Sequence, residues 1–121
     1  MDTTGIGVGA DGLLLYYEMD QGVGGADNAG ITAWSSAPGT TALSISDSVV
    51  SGATEAVSSR ASSAGATTRV TLGNSVVTQN NSAIIQSTSG GGVAIFESLG
   101  NNTVRQNTTN TSGTITSVAP I

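Results

Sequence analysis

Four Asx residues recur at a constant interval of 27 positions: Asp20, Asp47, Asn74 and Asn101. A column of side-chain oxygens could coordinate calcium, which takes six or more oxygen ligands, or its members could hydrogen-bond to one another as a ladder. Two aspartates followed by two asparagines supply little charge for a row of calcium sites. The nonapeptide of a calcium β-roll, faintly suggested around Asp27-Asn28, does not recur. A purely structural ladder is therefore the favoured reading, with no cofactor expected. Three of the four aromatic residues, Tyr16, Tyr17 and Trp34, fall in the first 34 positions together with Asp20 and Asp27. Aromatic faces beside carboxylates could stack on sugar rings or on a partner subunit, or could plug the first layer of a fold. These five residues form the candidate contact site. Gly7-Val-Gly-Ala-Asp-Gly12, with Asp27 further on, has the spacing of a dinucleotide fingerprint. That motif needs a strand before it and a helix after it, and only six residues precede Gly7, so a Gly-rich leader is the better reading.

Most other chemistries fall away on composition. The chain of 121 residues has no Lys, His or Cys, which removes imidazole bases, thiol nucleophiles, His/Cys metal sites and disulfides. Its cations are Arg60, Arg69 and Arg105, and Asp47, Glu55 and Glu97 are scattered among them. Polysaccharide cleavage needs paired carboxylates, or a base beside an acidic metal cluster, so a non-enzymatic role is expected. A formal charge of −5 argues against nucleic acid, whose phosphates demand a basic surface. The acidity is local: Asp2, Asp11, Glu18, Asp20 and Asp27 lie in the first 30 residues, and the remaining acids and arginines cancel. No apolar run approaches the roughly 20 residues of a membrane span. The start also lacks the basic segment of a signal peptide, so a secreted form would have its signal removed or encoded outside this chain.

The elements that must position these residues are legible as repeats. Gly, Ser and Thr number 17 each and Asn 8, about half the chain, yet 37 % hydrophobic content with few charges favours a folded β protein over disorder. Sliding the chain by 27 residues aligns one apolar column, Val23, Val50, Val77 and Val104, and a second, Ile45, Leu72 and Leu99. Alternation in Leu43-Ser44-Ile45 and Val70-Thr71-Leu72 predicts short strands with two side chains inward. The Asx residue two places later suits a turn, and Val49-Val50 or Val76-Val77 forms the next strand. Gly52-Ala53, Gln79-Asn80 and Gln106-Asn107 mark a further turn. Ile31, Ser58, Ile85 and Ser112 make a third-strand column, with Ala29, Ala56 and Ala83 two residues before it. Glu97 falls where Leu43 and Val70 stand, so Ile95 or Phe96 is expected to supply that core contact after a local slip. About four stacked coils of 27 residues result, and identical positions form ladders along the long axis.

The stretches Leu43-Ser-Ile-Ser-Asp-Ser-Val-Val-Ser-Gly52, Val70-Thr-Leu-Gly-Asn-Ser-Val-Val-Thr-Gln-Asn80 and Leu99-Gly-Asn-Asn-Thr-Val-Arg-Gln-Asn107 resemble the coils of bacterial right-handed parallel β-helix repeat proteins. Those are relatives in architecture of pectate lyases and autotransporter passengers. The resemblance covers about residues 40–121 and implies an all-β, right-handed parallel β-helix (β-solenoid). Members are generally longer, which implies a fragment, a short form or a subunit completed by neighbours. The expected organisation is a Gly-rich leader at 1–12, an atypical N-terminal coil or cap at 13–39 and regular coils at 40–121. An uncapped solenoid exposes strand edges that recruit other chains. The expected role is thus an extracellular or cell-surface structural module for adhesion or self-assembly, as a homo-oligomer or head-to-tail filament. The rival is a carbohydrate-binding or polysaccharide-degrading β-helix using Tyr16, Tyr17 and Trp34.

Overall fold

Alternating apolar and small polar residues, punctuated by Gly and Asx turns, fold into strands alone, as read from a computed structural model that describes residues 2–8, 13–19 and 29–119. The strands are β1 (Asp2–Val8), β2 (Leu13–Met19), β3 (Ala29–Ser35), β4 (Gly39–Ser46), β5 (Val49–Ser51), β6 (Glu55–Ala61), β7 (Ala66–Gly73), β8 (Val76–Thr78), β9 (Ser82–Thr88), β10 (Val93–Leu99), β11 (Thr103–Arg105), β12 (Thr109–Ser112) and β13 (Ile115–Val118). They assemble into three sheets: A (β1-β2-β3-β6-β9-β12), B (β13-β10-β7-β4) and C (β11-β8-β5). From β3 onward every pairing is parallel and joins one coil to the next. The protein is a parallel β-solenoid of about three turns rather than four. The count falls short because β1 and β2 do not coil. They pair antiparallel with each other, and β2 pairs antiparallel with β3, lengthening sheet A at its N-terminal side. A strand, β2, thus follows the Gly7–Gly12 segment where a nucleotide-binding motif would need a helix.

The interval of 27 holds wherever the links between strands have equal length. Leu43 pairs with Val70, Ile45 with Leu72, and Val50 with Val77 and then Val104. Leu72, Val70 and Val77 are fully buried, and Ile45, Val57, Ile84 and Phe96 complete the cluster with Leu43, Val50, Val104 and Ile115 against its margins. Each such side chain contributes roughly 1.5–3 kcal/mol when fully removed from water. A core this narrow leaves a large share of the specificity to hydrogen-bonded turns.

Two column assignments are corrected, both by one-residue changes in the links. Between paired positions the path from Thr88 to Val93 is one residue shorter than that from Ala61 to Thr67, so Phe96 stands opposite Val70 and Ser98 opposite Leu72. Phe96 takes the core place that Glu97 would have held, as the slip predicts, and it is fully buried. Leu99 consequently leaves the Ile45–Leu72 column and lies over Gly73, where a Cβ would come within 2.7 Å of Leu99 Cδ1. An extra residue in the following turn restores the interval by Thr103, which pairs with Val76. In the first coil Ile31 pairs with Val57, not with Ser58, and Ala29 with Glu55. The rest of that column holds, since Ser58 pairs with Ile85 and Ile85 with Ser112. Val23 lies outside the described residues.

The last coil is cut short. Only Gly113 and Thr114 separate β12 from β13, so Ile115 pairs with Phe96, 19 positions earlier instead of 26 or 27. Gly113 has φ +81° and passes so near Gln86 that a Cβ would sit 2.1 Å from its carbonyl oxygen. Gln86 fastens the shortcut: its Nε2 donates to the Ala94 carbonyl at 2.8 Å, and its Oε1 accepts from the Thr114 N–H at 3.0 Å.

Candidate functional site

The Asx column forms at a turn that needs left-handed backbone, a conformation Asp and Asn tolerate better than most residues. Asp47 and Asn74 have φ of 53° and 46°. Asn74 Nδ2 donates to Asp47 Oδ1, and the Asn74 N–H donates to Asn101 Oδ1 at 2.8 Å. Three members of the expected ladder are thus joined, while Asp20 lies outside the described residues. The next position makes a second ladder: the Ser48 N–H donates to Ser75 Oγ at 3.2 Å, and the Ser75 N–H to Asn102 Oδ1 at 3.0 Å.

A third ladder, at the turn after sheet C, went unrecognised in the sequence. The Ala53 N–H donates to Asn80 Oδ1 at 2.9 Å, and the Asn80 N–H donates to Asn107 Oδ1 at 2.9 Å. Asn80 Nδ2 lies 3.0–3.1 Å from three acceptors: the carbonyls of Val50 and Thr78, and Asn107 Oδ1. Asn80 is only 4 % exposed, so its amide is an internal crosspiece. The preceding residues, Gly52, Gln79 and Gln106, share left-handed φ of 75°, 60° and 59°. The repeated Gln-Asn pair was the available signal, masked because Ala53 breaks the column.

The aromatic site is only partly assembled within the described residues. In the antiparallel register of β2 on β3, Tyr16 stands opposite Thr32, Tyr17 opposite Ile31 and Leu14 opposite Trp34. Asp27, like Asp20, lies outside the described set. Trp34 is 38 % exposed, and its Nε1–H donates to Ser62 Oγ at 2.8 Å. Its register partner on the next coil, Arg60, is ion-paired with Glu55. On sheet B, Arg69 Nη1 meets Glu97 Oε2 at 2.6 Å, and Thr71 Oγ1 donates to Glu97 Oε1 at 3.2 Å. Both glutamates are thus paired with arginines, and they lie on different sheets. Among the described residues no group of three or more His, Cys, Asp or Glu could hold a metal ion. No helix there is long and apolar enough to cross a membrane.

The remaining functional feature is the set of sheet ends. At the C-terminal end every sheet closes on a short strand, β11, β12 or β13, of three or four residues. At the N-terminal end sheet A is prolonged by β2 and β1, sheet C stops at β5 and sheet B stops at the eight-residue β4.

The architecture places the chain in the class of parallel β-solenoids. Comparison with family models, with curated proteins and with solved structures returns no match.

Proposed function

We propose that the chain is a non-enzymatic structural module of the cell surface or extracellular space, one that mediates adhesion or self-assembly through its strand edges. The particular kinship with autotransporter-passenger-like repeat proteins belongs to this reading, since it rests on the quoted coil motifs alone. The observation that carries the reading is β4, a long edge strand that pairs on one side only within the described residues. Unpaired main-chain donors and acceptors in such a strand are a template for another chain. The taking up of Glu55 by Arg60 and of Glu97 by Arg69 supports a role without catalysis, because neither carboxylate is left to act in a pair. Light scattering at micromolar concentration should find particles larger than one chain, and a clean monomer would refute the self-assembly reading.

A half-exposed Trp34 beside the Arg60–Glu55 pair favours one second reading, a carbohydrate-binding face on sheet A; successive strand residues alternate between faces, so of Tyr16 and Tyr17 only one can share it. In that case Trp34 fluorescence should shift on titration with acidic polysaccharides, with or without calcium. An unchanged spectrum across the panel eliminates it.

A further inference from the structure

The main-chain pattern of β4 specifies what can dock on it. Gly39 N–H donates to the Gly65 carbonyl at 3.1 Å and Asp47 N–H to the Gly73 carbonyl at 3.3 Å. In a parallel ladder both main-chain groups of alternate residues face the same neighbour, so residues 39, 41, 43 and 45 are turned towards β7. Thr40, Ala42, Ser44 and Ser46, all exposed, therefore present their N–H and C=O groups to the edge that no other described strand covers. β4 has no charge, no proline and no bulge, the usual devices that blunt an edge. Behind it the core is unfinished, since Leu43 is half-buried where its partner Val70 is fully buried.

The other end of the stack is a poor match for this edge. β13 has four residues against the eight of β4, and the two-residue link before it sets its register apart from every other coil. A copy stacked head-to-tail would leave half of β4 without a partner. A second β4, run antiparallel, matches in length, is free of like charges, and offers donors and acceptors with the same alternation.

We propose that a second copy of this chain pairs with β4 through its own β4, antiparallel, about a two-fold axis at Leu43; this rests on the reading that strand edges carry the assembly. Thr40 then faces Ser46 of the second copy and Ala42 faces Ser44, and the reciprocal pairs complete about eight main-chain hydrogen bonds. Leu43 meets its own counterpart at a non-hydrogen-bonded site, with Cβ atoms about 4.5–5.5 Å apart, and each leucine covers the other's exposed side. A two-fold contact closes on itself and yields dimers, not filaments.

Sedimentation velocity of the full chain, from micromolar concentration upward, should show a reversible dimer. Ala42→Pro removes an N–H that points away from β7, which an edge strand tolerates. It should weaken the dimer at least about tenfold while leaving the circular dichroism and melting temperature of the subunit unchanged. Because the chain has no cysteine, Leu43→Cys should oxidise to a covalent dimer, whereas Ala42→Cys should not. An oligomer that survives Ala42→Pro, or that fails to cross-link through Leu43→Cys, overturns the β4 contact and leaves assembly through another edge standing. A parent chain that stays monomeric throughout overturns both.

Discussion

Val77→Asp should abolish cooperative folding at neutral pH, while Val76→Asp, one residue away, should melt nearly like the parent. Val77 is 0 % exposed and stacked between Val50 and Val104 in the core, whereas Val76 is 36 % exposed on the opposite face of β8. The inner substitution forfeits roughly 1.5–3 kcal/mol of apolar burial and adds several kcal/mol for a polar or charged group with no partner. That total is comparable with the whole stability of a small domain, about 5–15 kcal/mol. The outer substitution should stay within about 0.5 kcal/mol, as surface changes usually do. Thermal melts followed by circular dichroism compare the two directly. Equal losses, or a parent-like melt for Val77→Asp, would mean that the inner and outer faces of β8 are wrongly assigned.

Asn80→Asp should be nearly as damaging, for a different reason. The substitution keeps the shape and the acceptor for the Ala53 N–H, but it turns Nδ2 into an oxygen facing the Val50 and Thr78 carbonyls and Asn107 Oδ1. A buried carboxylate surrounded by acceptors should lose more than about 3 kcal/mol at pH 7. Burial and those acceptors raise its folded-state pKa above the unfolded value of about 3.9. The folded state then binds more protons between the two values, so the deficit should shrink as pH falls from 7 towards 4. Asn80→Ala, which has no group to titrate, should show a deficit that does not change with pH relative to the parent. Urea unfolding of both variants at the two pH values is the measurement, and an Asn80→Asp deficit independent of pH would place this position outside the core of the stack.

Residues that repeat both in type and at a fixed interval could be read in advance. The Val50–Val77–Val104 column, the Asp47–Asn74–Asn101 turn and the displacement around Phe96 all follow from matched chemistry, the last because Glu97 is an implausible core residue. Leu99 and Ile31 misled because a one-residue deletion hidden among Ser and Gly changes no residue type nearby, yet it reverses which side chains face inward. The Asn80 ladder was obscured by Ala53, a position where the main chain alone takes part and no side chain advertises the bond. The shortcut through Gly113 depends on a close approach to Gln86 and a left-handed backbone, neither of which has a periodic signature. For the candidate contact site, only the clustering of the aromatics was legible in the sequence. The open edge of β4 was not, because an edge is defined by what fails to lie beside a strand.

The main-chain bonds of the turn ladders run one way. In every case a main-chain N–H of one coil reaches a side-chain oxygen of the coil that follows: Ser48 to Ser75, Ala53 to Asn80, Asn74 to Asn101, Ser75 to Asn102 and Asn80 to Asn107. Each coil carries the side-chain acceptors that cap its predecessor's main chain, and where the Asx ladder reaches back, from Asn74 Nδ2 to Asp47 Oδ1, the Asn74 of a repeated coil offers an equivalent oxygen. A tandem duplication of residues 55–81 would therefore arrive with its own fastenings, lengthening the stack by one strand spacing of about 4.8 Å without a compensating change elsewhere. Such one-sided dependence makes the coil a unit of inheritance as well as of structure, and lets chains of this kind vary in length through a single genetic event.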